Sequence, residues 1–292
     1  PFKNWRGLSI CSRIRFILGV DFVGRGGNLM FNETAIRFFL FVGILALMAG
    51  WEVLAPRRVL TVPKNNRWIN NLSLIFLSTL VVRLLPFQAI GVALLAKDHG
   101  WGILNNASLP YWISVAIGVL CLDLAIYLQH AMFHAIPTFW RFHRVHHTDL
   151  DVTTGIRFHP VEMLLSMRIK MAAIVFWGTS ALAIVIFEVL LNATSMFNHG
   201  NVRFPGRLDR VVRLFVVTPD MHRVHHSVIV KEHNSNFGFN FPWWDRILGT
   251  YRPKPEAGHK EMTIGLAPFR DIKSLTLPRL LVMPFVLNPR KE

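Results

Sequence analysis

The chain of 292 residues contains only two cysteines, Cys11 and Cys121. Cys121 lies inside an apolar run, so a structural disulfide is not expected, and no C-x-x-C exists for zinc or iron–sulfur ligation. Charge is also scarce: 17% of residues are charged, against about 25% in an ordinary soluble domain. Acidic residues are the scarcer sign, 17 against 32 basic ones, for a net charge of +15. A basic chain that binds nucleic acid needs a basic face with stacking aromatics or a known docking element, and neither is present. The basic residues instead flank apolar runs, as at cytoplasmic membrane ends. The zinc-protease arrangement H-E-x-x-H is missing, since Ala131 stands where its Glu would be. Paired Glu-x-x-His motifs of soluble di-iron bundles are missing too, the lone example being Glu256 to His259 in a Pro/Gly loop.

What remains is apolar: 52% of residues are hydrophobic and mean hydropathy is +0.37. Residues 1–35 lack the apolar core of a cleavable signal, and Met30, just before the first apolar run, is a candidate native start that N-terminal sequencing would test. Runs at 36–55, 69–95 (bent at Pro86) and 109–128 are each long enough to cross a bilayer as helices. The run at 163–197 is too long for one crossing and is broken by Gly178-Thr179-Ser180, which predicts a two-helix hairpin. Such a hairpin returns His199 to the face it left. Residues 275–287 are too short and Pro-interrupted to span, and are expected to pack or to lie in the interface. The fold class expected is therefore all-α: three membrane spans plus a re-entrant or two-helix hairpin, capped by a helical His-rich region. Arg57, Arg58, Lys64 and Arg67 put the 56–68 loop in the cytoplasm, and with it the histidines. Arg168 and Lys170 in the hairpin are expected to snorkel.

The pentapeptide His143-Arg144-Val145-His146-His147 returns as His222-Arg223-Val224-His225-His226. On a helix, positions i, i+3 and i+4 share one face, so each copy aims its imidazoles in one direction. His130 and His134 stand upstream and His199 lies between the copies. Nine imidazoles exceed one ion's needs, whereas two metals with four or five each fit the count, and His159 is a tenth candidate. Imidazole suits zinc, copper, iron and nickel alike. The ligands must be neutral to bind, so affinity should fall with pH. Asp123, seven residues before His130 and charged at membrane depth, is a candidate to orient an imidazole; Asp220, Asp245 and Glu162 are weaker ones. Phe237, Phe239, Phe241, Trp243 and Trp244 are read first as interfacial anchors and second as the wall of a lipid tunnel.

Taken together, these residues resemble the fatty acid hydroxylase superfamily, also called the sterol desaturase family, of integral-membrane non-haem di-iron oxygenases. The resemblance runs from about Asn65 to Gly265. It rests on the ordered set Asp123-x-x-x-Tyr127-x-x-His130-x-x-x-His134, Trp140-Arg141-x-His143-x-x-His146-His147 and Arg157-x-His159-Pro160-x-Glu162. The set continues with Asn198-His199, Thr218-Pro219-Asp220-x-His222-x-x-His225-His226, and Asn236-Phe237-Gly238 before Trp244-Asp245-Arg246-x-x-Gly249-Thr250. It implies two iron ions held by the histidines, O2 as co-substrate, hydroxylation or desaturation of a lipid, and an external electron donor of reductase or ferredoxin type. It also implies a membrane and di-iron hydroxylase domain at 36–265, between the N-terminal segment 1–35 and a C-terminal interfacial tail at 266–292. Ser195 departs from relatives that carry His there, and water or His159 is expected to fill in. Two other classes fit a metal site on a membrane: a zinc-dependent lipid hydrolase, and a non-catalytic metal-binding protein. Ligands in a transport path would be spread through the spans, whereas these cluster after them.

Overall fold

A computed structural model describes residues 33–60, 62–149 and 154–286, and the segment holding Cys11 and Met30 lies outside them. Among the described residues the chain is helical, with isolated bridges at Pro56–Val202 and Ser227–Ile264 in place of strands. The long helices are α1 (Glu33–Leu54), α2 (Lys64–Arg83), α3 (Ala89–Asp98), α4 (Tyr111–Ala135), α6 (Pro160–Trp177) and α7 (Ala181–Asn198), with the short α5 (Pro137–His143) after α4. Three are long and apolar enough to cross a membrane: 35–54 in α1, and α4 and α7. The apolar run at 69–95 is the difference. It forms two helices broken at 84–88, and the first begins earlier, at Lys64, with Asn65, Asn66, Asn70 and Asn71 on it.

The helix ends follow from local chemistry. Pro137 and Pro160 start helices at a position where the missing N–H costs nothing. Ser180 caps α7 by accepting from the Ala183 N–H at 3.3 Å. Gly178 ends α6 at φ 69°, and a Cβ there would stand 2.9 Å from the Asn105 side chain. That close approach lets the Leu104 N–H donate to the Trp177 carbonyl at 2.7 Å. The hairpin foreseen at this glycine is thus present.

Helix α4 lies between α6 and α7; α1 packs on α7, and α2 and α3 pack on α6. Val115, Leu122 and Ile126 of α4 meet Ile174, Ile184 and Phe187 of the hairpin in the main apolar core. Helices α1, α4 and α7 all end at the level of the histidines, and α6 starts there. Lys170 does not snorkel: it is buried and pairs with Glu188 at 2.5 Å, which also binds Arg37 of α1. An ion at that depth is cheaper paired than stretched to the interface. Residues 277–282 form a short helix that packs rather than floats, with Leu280 and Met283 against Leu74 and Val145. Arg141 and Arg144 hold the Pro284 and Met283 carbonyls, so the described part of the expected tail belongs to the helical body.

Candidate metal centre

The nine motif histidines converge in two groups. One comprises His130, His134, His143, His147 and His225; the other His146, His199, His222 and His226. Within each group the nearest nitrogens all lie within 4.8 Å of one another. The groups abut, with the His147 and His226 ring centroids 4.6 Å apart. Each pentapeptide is divided between them. In the first copy, positions i and i+4 (His143 and His147) join the larger group and i+3 (His146) the smaller. The second copy does the reverse, giving His222 and His226 to the smaller group and His225 to the larger. At about 100° per residue, i and i+4 differ by about 40°, and i+3 by about 60° on the other side. Neither copy is a full helix: the first straddles the end of α5 and a 3-10 turn, and the second ends α8 (Pro219–His225).

Hydrogen bonds fix which ring nitrogen faces inward. The Nδ1 atoms of His130, His199 and His225 each stand 2.7 Å from a backbone carbonyl, of Phe237, Ser195 and Ser235. His143 Nδ1 stands 2.6 Å from Glu162 Oε1. A carbonyl or an ionised carboxylate can only accept, so these nitrogens, that of His143 with Glu162 ionised, carry the protons and each Nε2 presents a lone pair. These lone pairs face other ring nitrogens, two of which, on His146 and His222, have no partner at Nδ1 to set their tautomer. His130 and His143 Nε2 are 3.0 Å apart, and His199 Nε2 is 2.9 Å from both His146 and His222 Nε2. His225 Nε2 is buried with no hydrogen-bond partner. Two lone pairs at that distance repel unless a cation lies between them. Nitrogens about 2.1 Å from one ion stand about 3.0 Å apart at right angles and about 3.4 Å apart at tetrahedral angles. The donor set fits two metal ions.

Burial keeps the outer imidazoles neutral. It pulls His143 down to about 3. Burial, then the neighbouring histidines, push His146, His147, His222 and His226 well below the ordinary range. Neutral imidazole is the ligand form. Phe158 stacks on His146 at 4.7 Å, and the Phe239 centroid is 5.0 Å from His130 and 5.9 Å from His222. Phe239 also packs in the core with Ile184 and Phe187. One apolar ring therefore stands between both groups and the main apolar core. The aromatic run divides accordingly: Phe237 and Phe239 wall the histidines, Trp244 reaches α4, and the stacked Phe241–Trp243 pair lies outside.

His159 joins neither group. Its Nδ1 accepts from the Val161 N–H at 3.2 Å as the N-cap of α6, and its Nε2 stands 3.2 Å from the Leu281 carbonyl. Nor does it replace Ser195, whose hydroxyl donates to the Gly155 carbonyl. Of the four carboxylates, Glu162 meets an imidazole directly. Asp123 instead accepts from the Trp244 Nε1–H at 2.8 Å. Asp220 takes Arg57 and Arg223; burial raises its pKa, and Arg223 with Arg57 and His259 outweighs that to lower it. Asp245 accepts from the Phe237 and Gly238 N–H groups and from Thr250, which aims the Phe237 carbonyl at His130. Asp245→Ala strands these donors and should lower stability by about 3 kcal/mol or more, read from chemical unfolding, with Asp245→Asn milder. Sequence reasoning missed the three carbonyls, the Asn234 amide 3.2 Å from His134 Nδ1, Phe158, and His233 stacked on Trp140. A backbone carbonyl leaves no mark in a sequence.

Among the described residues, three helices apolar enough to cross a membrane and two abutting all-histidine groups define a class of membrane protein able to bind metal. Residues 115–250, which hold all nine histidines, match the fatty acid hydroxylase family. It is similar to the ornithine lipid hydroxylase of Rhizobium tropici, 28% identical over 53% of this chain and 46% of that one. It is similar to the cholesterol 25-hydroxylase of Rattus norvegicus, 29% identical over 49% and 48%. The alkylglycerol monooxygenase of Xenopus tropicalis is 27% identical over 77% of this chain and 48% of its own. The chain spans about half the length of the curated relatives it matches. No solved structure matches it.

Proposed function

We propose that this chain is a membrane-bound di-iron monooxygenase that hydroxylates a C–H bond of a lipid, taking electrons from an external donor of reductase or ferredoxin type. The observation that carries this reading is the pair of neutral, all-imidazole groups lying directly on an apolar ring at the end of the membrane helices. The five-histidine group would hold one iron and the four-histidine group the other. When bound, the pair would supply O2 activation and the oxidising power for C–H cleavage; overall, C–H, O2, two electrons and two protons give C–OH and water. The chain's own residues do the rest. Glu162 and the Phe237, Ser195 and Ser235 carbonyls hold the proton on Nδ1 and so keep Nε2 aimed inward. Phe158 and Phe239 exclude water and offer a hydrocarbon chain a surface beside both groups.

The His-bearing end would face the cytoplasm, because Arg57, Arg58, Lys64 and Arg67 cluster there while the opposite loop carries few charges. Hydroxylation rather than desaturation is the favoured reaction because the relatives named above are hydroxylases and monooxygenases. Mass spectrometry of membrane lipids with and without the gene tests the reading. One lipid class should gain one oxygen, only in air. Cleavage of a lipid ester or headgroup bond, with water added across it and undiminished without O2, would point instead to a zinc hydrolase, and no lipid change would overturn catalysis on lipid.

A further inference from the structure

A cavity of about 450 Å³ opens beside the loop between α1 and α2, lined by Pro56, Arg58, Val59, Leu60, Lys64 and Asn201 among others. Its floor is pinned to the smaller histidine group. Arg58 N–H donates to Asn201 Oδ1 at 3.1 Å, and Asn201 Nδ2 donates to the Arg58 carbonyl at 2.7 Å. Asn201 follows His199 by two residues. Next door, the Arg57 guanidinium grips both oxygens of Asp220, at 3.2 and 3.1 Å, two residues before His222.

Positive charge is in excess there. Arg57, Arg58, Lys64, Arg223 and Arg270 face the carboxylates of Glu52, Asp220 and Glu261. Arg57 and Arg223 share Asp220, and Lys64 stands 3.5 Å from the fully buried Glu52. Arg58 Nη2 donates to the Met262 carbonyl at 2.6 Å, and Nη1 is buried with no hydrogen-bond partner. Burial lowers its pKa, Glu261 acting against and Arg57 and Arg270 with it. Five cations face three carboxylates, and an anion in the cavity lined by Arg58 and Lys64 would balance them. The rim says what the anion is attached to. Val53, Leu54 and Val59 are 68%, 86% and 95% exposed, at the end of a helix apolar enough to span. A free anion leaves them bare, whereas a lipid tail covers them.

We propose that this cavity holds the phosphate of an anionic phospholipid, with Arg58 as its main contact, Lys64 at the rim and the chains along Val53, Leu54 and Val59. Basic pockets at the ends of membrane helices suit such headgroups. The bound lipid braces the α1–α2 loop against the wall that carries His199 and His222. This assignment needs only that α1 spans, and stands apart from the hydroxylase reading.

Thermal unfolding and native mass spectrometry of the full chain, delipidated in mild detergent, test it. Phosphatidylglycerol should bind at one per chain and raise the unfolding midpoint, while phosphatidylcholine and inorganic phosphate should do neither. Lys64→Gln should weaken phosphatidylglycerol about tenfold, Arg58→Gln should abolish its binding, and Lys97→Gln, at the far end of α3, should leave it unchanged. Equal effects of phosphatidylcholine would overturn the site as nonspecific, and saturation by inorganic phosphate alone would overturn the lipid. Should Arg58→Gln fail to fold, Lys64→Gln decides, since that side chain is a third exposed and its ion pair, with Glu52, is 3.5 Å long; unchanged affinity there sinks the proposal.

Discussion

His146→Ala should lower the metal content of the purified chain from about two ions to about one, measured by mass spectrometry of the digested protein. His225→Ala should lower it less. The difference comes from the counts in the two groups. His146 belongs to the group of four, so its loss leaves three imidazoles, His199, His222 and His226, and opens a position. His225 belongs to the group of five, and its loss leaves four, enough to close a tetrahedral site. The His146 variant also removes one of the two nitrogens that His199 Nε2 faces at 2.9 Å, loosening the shared centre of its group. Turnover should drop to background in the His146 variant, because a chemistry that needs both ions fails with one. About one ion per chain in the unmutated protein, indifferent to both substitutions, would sink the two-metal reading.

That asymmetry could not be read from the sequence, although the nine histidines that converge could. The spacing H-x-x-H-H says that three imidazoles of a copy lie near one face. It does not say that the face is shared by two ions, because an offset of about 100° between i+3 and i+4 separates directions without separating residues. The division needs the second copy in place, mirroring the first across the centre. The hairpin was legible because a glycine in the left-handed region ends α6 and the following Ser180 caps α7. The run at 69–95 was misread at its start because asparagines and Lys64 break the apolar pattern while leaving the helix intact. Their polar side chains answer tertiary partners: Asn71 accepts from Arg157 at 2.6 Å, and Asn70 from the Leu277 N–H. Polar residues satisfied by distant chain look, in one dimension, like a loop.

Carboxylates show the same limit more sharply. Asp123 has the better credentials in sequence, charged at membrane depth and two turns from His130, yet it serves the Trp244 indole. Glu162 sits near no histidine motif except the one that proves to be a helix cap, and it is the carboxylate that meets a ligand. What joins Glu162 to His143 is the return of α6 past α5, a tertiary fact.

Glu162→Ala should therefore weaken metal binding in the larger group by about 10–100-fold, the usual cost of removing a partner that orients a ligating histidine. The geometry gives the reason. Glu162 Oε1 is 2.6 Å from His143 Nδ1, both side chains are buried, and His143 Nε2 points at His130 Nε2. Without the carboxylate, nothing at that position holds the proton on Nδ1, and the ring is free to flip or change tautomer, turning an N–H toward the ion. Glu162→Gln keeps an amide oxygen that can accept, so it should lose the charge-assisted part only and fall between the two. Competition with a chelator of known affinity reads this directly, in apoprotein reloaded with one metal at a time and without any turnover. The smaller group serves as the internal reference, because the imidazole that Glu162 meets is His143, of the larger group. Loss of both ions together would instead mean a general collapse of the helix packing. Undiminished affinity in Glu162→Ala, with the fold intact by circular dichroism, would make the contact a buried hydrogen bond of no consequence for the metal.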